Sequence, residues 1–154
     1  MSAPVHTRDD LRRWDAAVFV AAPRQRVYDY LADPRNRPQW QASLRRVEVL
    51  DDGPPRVGTR WVDHVYGAPP FHLEITHMVD GEVWAEVGTS GPFTASGTLL
   101  FEDAVRDGVA GTGVHCIARV NGRGPARVLA PFAMAVAALL VRNDLRRAAR
   151  VLSA

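Results

Sequence analysis

Two acidic residues, Asp63 and Glu86, are the strongest candidates for chemistry in this chain, and each lies two positions after a tryptophan, Trp61 and Trp84. Both pairs fall in segments with strand composition. Because side chains at i and i+2 share one face of a strand, each carboxylate is expected on the face of its tryptophan. A carboxylate on an apolar face would be desolvated, and could then act as an acid or a base. The opposite interpretation is that both are exposed, or pair with an arginine such as Arg60.

A histidine, His77, is the third candidate acid or base. Strand alternation in Phe71–Val79 places it on the predicted inner face, although a plain core or rim histidine is the simpler interpretation. His72 must then face the other way, and His64 belongs to a separate strand. The sequence contains no closely spaced group of His, Cys and acidic residues of the kind that binds a metal. We therefore expect neither a metal site nor a cofactor.

Composition limits the possible functions. The chain has 154 residues, of which 47% are hydrophobic and 23% charged, and these values are typical of one soluble globular domain. All 19 basic residues are arginine, so Schiff-base chemistry on a lysine side chain is excluded. The arginines form no tract with interleaved aromatics, which argues against nucleic-acid binding. Cys116 is the only cysteine, and we expect it in the core.

The N-terminal segment is polar and has no apolar signal sequence. We predict a flexible arm at residues 1–13, one domain at residues 14–154, and a cytoplasmic protein. The one long apolar run, Val128–Val141, is shorter than the roughly 20 residues that a spanning helix needs. We therefore expect no transmembrane segment.

The first elements predicted are a strand, a helix and a short helical segment. Trp14–Ala22 has strand composition, Pro23 suits the first turn of a helix, and Pro34 ends that helix. Asn36–Ala42 follows as one or two turns that contain Trp40. Six strands then alternate with Gly, Pro and Asp turn residues; they are Leu44–Leu50, Thr59–Tyr66, Phe71–Val79, Glu82–Thr89, Thr94–Glu102 and Gly113–Val120.

A long helix is predicted at the C-terminus, beginning or kinked near Pro131. It is apolar almost all round in its first half and amphipathic in its second half. An antiparallel meander with one apolar face needs a cover, and this helix can provide it. The predicted class is therefore α+β.

Several motifs resemble the START-like superfamily, and specifically its polyketide cyclase/dehydrase-like branch. The opening Ala22–Pro34, followed by Pro38-Gln39-Trp40, is similar to the start of that family. Further matches are Val57–Trp61, Gly88–Phe93, Gly111–Val114 and Asn143–Leu145. The resemblance implies a helix-grip fold, which is a curved antiparallel sheet of about seven strands around a long C-terminal helix, with two short helices after strand 1 and a cavity between sheet and helix. The family tends to have an apolar residue where this chain has Glu86.

Strand alternation and the resemblance together predict the residues that contact a ligand. The candidate catalytic residues are Glu86, Asp63 and His77. The candidate ligand-binding residues are Tyr30, Trp61, Phe71, Leu73, Ile75, Trp84, Phe93, Leu99, Val114, Cys116, Phe132, Val136 and Leu139.

Three functions remain open from the sequence. The preferred one is binding of a small hydrophobic or aromatic molecule, polyketide-like or lipid-like, because the predicted cavity holds few polar groups. The second is a polyketide aromatase, cyclase or dehydratase, which the branch name implies. Glu86 supports this alternative as a candidate acid or base. The third is a protein-interaction module that uses the apolar first half of the last helix, and the chain could be a monomer or a homodimer.

Overall fold

Seven antiparallel strands form one curved sheet in the order β1-β7-β6-β5-β4-β3-β2. The structure, a computed structural model, describes residues 16–154. The predicted arm and the first two residues of the predicted first strand lie outside the described residues. The strands are β1 (Ala16–Val20), β2 (Leu44–Val49), β3 (Arg60–Val65), β4 (Phe71–Val79), β5 (Val83–Ser90), β6 (Phe93–Arg106) and β7 (Val109–Gly122).

Two short helices follow β1. The first, α1 (Arg24–Ala32), begins after Pro23 and buries Val27, Tyr28 and Leu31 on one face. It ends at Asp33, whose side chain caps a 3-10 turn over Pro34–Asn36. The second, α2 (Arg37–Trp40), follows directly and lies within the short helical segment predicted over Asn36–Ala42.

The last helix, α3 (Ala130–Leu152), packs on the sheet through β1 and β7, and it also contacts α2. It begins one residue before Pro131, which therefore lies in the first turn, where a missing N–H costs nothing. The predicted helix-grip architecture is confirmed. No helix within the described residues is both long enough and apolar enough to cross a bilayer.

The longest hairpin, β6 and β7, extends beyond the predicted strands. Each strand has 14 residues, and the turn between them uses positive φ at Asp107 (52°) and Gly108 (78°). Such a turn matches the twist of the strands that it joins. The extension was missed because its side chains are mostly exposed, so it carries no apolar alternation.

Strand register defines the concave face of the sheet. Ile75 lies opposite Glu86, which lies opposite Gly97. Trp61 and Asp63 share a face of β3, and their partners on β4 are Leu73 and Phe71, on the same face as Ile75. The tryptophans and acids of β3 and β5 therefore all lie on the side of the sheet that faces α3.

A β-bulge in β4 makes the prediction for His77 wrong. The register shifts between Ile75 and His77, so that His77 pairs with Ala85 and Met78 pairs with Trp84. Because a bulge inserts one extra residue, it exchanges the two faces of the strand beyond it. His77 therefore shares the face of Ala85, opposite to that of Trp84 and Glu86.

Candidate functional site

A buried arginine joins two acidic residues on the concave face. The Arg37 guanidinium donates from Nη2 to Oδ2 of Asp63 and from Nη1 to Oε2 of Glu86, each over 2.9 Å. Its Cζ atom also lies 5.4 Å from the ring centroid of Trp61, within cation–π range. We call Arg37, Asp63 and Glu86 the Arg37 cluster. It connects α2 to β3 and β5.

Local sequence explains how Arg37 reaches this position. The preceding 3-10 turn is held by Asp33, whose Oδ1 accepts from the Arg35 backbone N–H at 3.0 Å. Asn36 donates from its side chain to the Tyr30 carbonyl oxygen at 2.9 Å. A helix as short as α2 is unstable alone, so these hydrogen bonds and the buried Trp40 determine where it lies.

Burial dominates the electrostatics of Glu86. Desolvation raises the pKa of Glu86 above its ordinary value, the charge of Arg37 works in the opposite direction, and the neighbouring Asp63 raises it further. For Arg37, burial lowers the pKa, but the two carboxylates more than compensate and the net pKa is raised. The arginine is therefore charged, and Glu86 is protonated more easily than an ordinary glutamate.

Gly97 makes room for the Glu86 side chain on the neighbouring strand. A Cβ atom at Gly97 would lie 3.3 Å from Oε1 of Glu86, which is tighter than an ordinary contact, and 3.5 Å from its Cγ, which is an ordinary contact. The glycine therefore lets the carboxylate lie flat against β6.

A cavity of about 180 Å³ lies between the sheet and α3, and Glu86 is in its wall. A second carboxyl, Asp144 of α3, also lines it. Burial raises the pKa of Asp144, although a hydrogen bond from the Ala42 backbone N–H, 3.2 Å long, opposes this. Most other wall groups are apolar. The lining residues are Arg37, Trp40, Gln41, Trp84, Glu86, Ala95, Ser96, Gly97, Thr98, Leu99, Cys116, Ala118, Arg119, Val120, Ala137, Val141, Asp144 and Leu145.

Some residues predicted to contact a ligand lie at the cavity and others do not. Trp84, Glu86, Leu99 and Cys116 line it. Asp63 does not line the cavity but is held by Arg37. Among the remaining predicted residues, the following are buried in the core outside the cavity wall: Trp61, Leu73, Ile75 and Val114.

Three predicted aromatic contacts also lie outside the cavity wall. Phe71 and Phe93 are half-buried, and the Tyr30 hydroxyl donates to Oε1 of Gln39 at 2.8 Å. The rings of Trp61 and Trp84 lie 6.1 Å apart and tilted by 31°, so Trp61 packs behind a tryptophan that does line the cavity.

The prediction that Phe132, Val136 and Leu139 line the cavity is wrong. They are 72%, 40% and 59% exposed, whereas α3 lines the cavity with Ala137 and Val141. The first half of this helix is apolar on every side, so helical spacing alone could not show which side faces the sheet.

Arg37 and Asp144 belong to the site but were not predicted from the sequence. Asp144 carried a usable signal, because it is the only acidic residue of α3 and lies among the apolar positions Val141, Leu145 and Ala148. Arg37 carried no such signal, and Arg60, named as a possible partner, instead pairs with Asp51 at 2.9 Å. Within residues 16–154, no three His, Cys, Asp or Glu side chains group closely enough to hold a metal ion.

Solved structures with this fold come from several bacteria. A Deinococcus radiodurans protein is 25% identical with a TM-score of 0.62, covering 89% of this chain and 93% of that one. A Thermus thermophilus protein is 19% identical with a TM-score of 0.65, and the match covers 88% of this chain and 92% of that one. A hypothetical protein of Helicobacter pylori is 14% identical with a TM-score of 0.68, and the match covers 88% of this chain and 84% of that one. The last two likenesses show the fold alone.

The family comparison covers nearly the whole chain. A search of curated proteins returned no significant match. The family model for polyketide cyclase / dehydrase and lipid transport proteins matches residues 12–154, which include every element of the site. The chain therefore belongs to the polyketide cyclase / dehydrase and lipid transport family.

Proposed function

We propose that this protein binds a compact hydrophobic or aromatic molecule in the cavity between the sheet and α3. The observation that carries the proposal is Glu86, a partly buried carboxyl whose side chain is 15% exposed, held by Arg37 in the wall of an otherwise largely apolar cavity. Apolar walls with a few placed polar groups are the usual composition of a ligand site, where the polar groups orient the ligand.

The cavity volume limits the size of the ligand. A cavity of about 150 Å³ lined by apolar side chains holds one benzene molecule, whereas drug-sized ligands occupy about 300 Å³ or more. At about 180 Å³, this cavity fits a small molecule of one or two rings or a similar short chain. Trp40 and Trp84 offer ring faces against which such a molecule can pack.

The energetic cost of the Arg37 cluster supports a role beyond folding. Moving three charged groups out of water costs several kcal/mol for each ion, and apolar replacements of similar volume are often as stable or more so. The side chains of Arg37 and Asp63 are only 7% and 5% exposed. The Arg37 cluster adds little net stability but fixes a carboxyl at the cavity, and such an arrangement is typical of a functional site.

Catalysis is the second candidate function, and the two cavity carboxyls favour it. Burial raises the pKa of both Glu86 and Asp144 above that of an ordinary carboxyl, which is the direction expected for a carboxyl that acts as an acid or base. An aldol closure followed by dehydration would use such groups to move protons at a carbonyl compound. The volume is small for a long poly-β-keto chain, and for that reason we rank binding first.

A ligand titration tests the proposal. Toluene with one ring, naphthalene with two and pyrene with four would each be added while tryptophan fluorescence is recorded. We expect saturable quenching by the one- and two-ring compounds and none by pyrene. No saturable response to any of them, or a stronger response to pyrene, would contradict the proposal.

A further inference from the structure

The beginning of α3 and the turn before it expose large apolar side chains to solvent. We call this set the α3 apolar face. Proteins usually keep such contiguous groups covered unless they serve an interaction. The members are Val128 (83% exposed), Leu129, Phe132, Val136, Leu139 and Leu140.

This face is separate from the ligand cavity. Phe132, Val136, Leu139 and Leu140 are spaced i, i+4, i+7 and i+8, so they lie along one side of the helix. Ala137, which lines the cavity, lies on the opposite side. The inference from this face is therefore independent of the proposed ligand.

Toward the C-terminus of α3, the same side of the helix becomes positively charged. Positions 142, 146, 147 and 150 of α3 are all exposed arginines. The one acidic residue of α3, Asp144, is buried and faces the cavity. The exposed surface of α3 is therefore apolar in its first half and basic in its second half.

The charge is unevenly distributed along the whole chain. From residue 108 to the end there are seven arginines and one acidic residue. The first 107 residues hold the other 12 arginines and 16 acidic residues. The low net charge of +2 thus conceals a strongly basic C-terminal region beside an acidic remainder.

We propose that the α3 apolar face docks on an anionic lipid bilayer. Phe132 and its apolar neighbours would insert at the boundary of headgroups and acyl chains, and Arg146 and Arg150 would lie at the lipid phosphates. Interfacial helices combine these two contributions, since apolar burial and attraction to anionic lipid act together. A nucleic acid would use the arginines but not Phe132, and a second copy of the chain could cover Phe132 without using Arg146 and Arg150.

Vesicle binding of the full chain tests the proposal. The probes are vesicles of phosphatidylcholine mixed with phosphatidylglycerol, and vesicles of phosphatidylcholine alone. The variants are Phe132→Ser with Leu139→Ser, and Arg146→Gln with Arg150→Gln. The matched control is Val105→Ser with Tyr66→Ser, two apolar positions outside α3 that are also largely exposed, by 74% and 66%.

We expect co-sedimentation with the anionic vesicles, weaker binding to neutral ones, and release at high salt. The serine pair in α3 should weaken binding at least about tenfold, because it removes two inserted side chains. Each arginine replaced should weaken binding about fivefold, the value expected for one basic residue at an anionic surface. The control pair should bind like the natural protein.

Four results would overturn the proposal. One is that anionic vesicles are not bound. Another is that the serine pair in α3 binds them as well as the control pair does. The third is a dimer in analytical ultracentrifugation that the serine pair in α3 abolishes, since it would assign the α3 apolar face to a second copy of the chain. Nucleic-acid binding that the serine pair leaves unchanged, with no vesicle binding, would also reject it.

Discussion

Arg37 and Glu86 are 49 residues apart in the chain, yet Nη1 of the arginine donates to Oε2 of the carboxylate over 2.9 Å. This contact brings the first residue of a four-residue helix to the middle of the sheet. Since the second nitrogen of the same guanidinium binds Asp63, one arginine compensates two acidic residues. The carboxylate of Glu86 is thereby held at the cavity instead of turning toward solvent.

Replacing Arg37 with Met should strongly destabilise the fold. Removing one partner from a buried ion pair leaves an uncompensated charge and typically costs about 3–5 kcal/mol. The free energy of unfolding from urea titration would show the loss. The matched control is Arg60→Met, which breaks the exposed pair with Asp51 and should have a much smaller effect. Equal losses in the two variants would show that the Arg37 cluster has no special role.

The pKa of Glu86 predicts how its contribution to stability varies with pH. Because the folded-state pKa is raised above the ordinary 4.5, the unfolded chain releases this proton first as the pH rises. The contribution of Glu86 to stability therefore falls from about pH 4.5 up to its raised pKa. Glu86→Gln cannot ionise, so its stability should decline less steeply over this range.

The slope of unfolding free energy against pH is the quantity to compare between the two proteins. The absolute level also changes when the charged hydrogen bond to Arg37 is lost, so it is not diagnostic. Adding Asp144→Asn should flatten the slope further, because the pKa of that carboxyl is raised as well. Parallel curves for the natural protein and Glu86→Gln would contradict the assigned direction.

Filling the cavity should abolish ligand binding without unfolding the protein. Ala137 of α3 lines the cavity, and a leucine there would occupy part of its volume. We expect Ala137→Leu to lose the fluorescence response to naphthalene while its unfolding free energy changes by less than about 1–3 kcal/mol, the usual cost of overpacking. Ala135→Leu, exposed on the same helix, should respond like the natural protein. An unchanged response in Ala137→Leu would place the ligand elsewhere.

Turn residues and alternation predicted the fold well. Pro23 and Pro34 mark the limits of α1, and Asp80-Gly81 marks the turn between β4 and β5. These residues act locally, through fixed φ or tolerance of positive φ, so their effect is visible in sequence. The family resemblance pointed to the same architecture.

The candidate site was predicted only in part, and the reasons are physical. The bulge after Ile75 adds one residue without a sequence signature, and it moved His77 to the other face. The partner of Asp63 and Glu86 could not be found because Arg37 is remote in sequence and is positioned by the turn before it. The orientation of α3 could not be found because its first half is apolar on every side.

Native mass spectrometry of the purified protein, followed by solvent extraction, shows directly whether the cavity between the sheet and α3 holds a compact ligand. We expect an additional mass no larger than that of a substituted one- or two-ring molecule, retained by the natural protein and by Ala135→Leu but absent from Ala137→Leu. An additional mass of lipid or polyketide size, or one that Ala137→Leu retains, would contradict a compact ligand in this cavity.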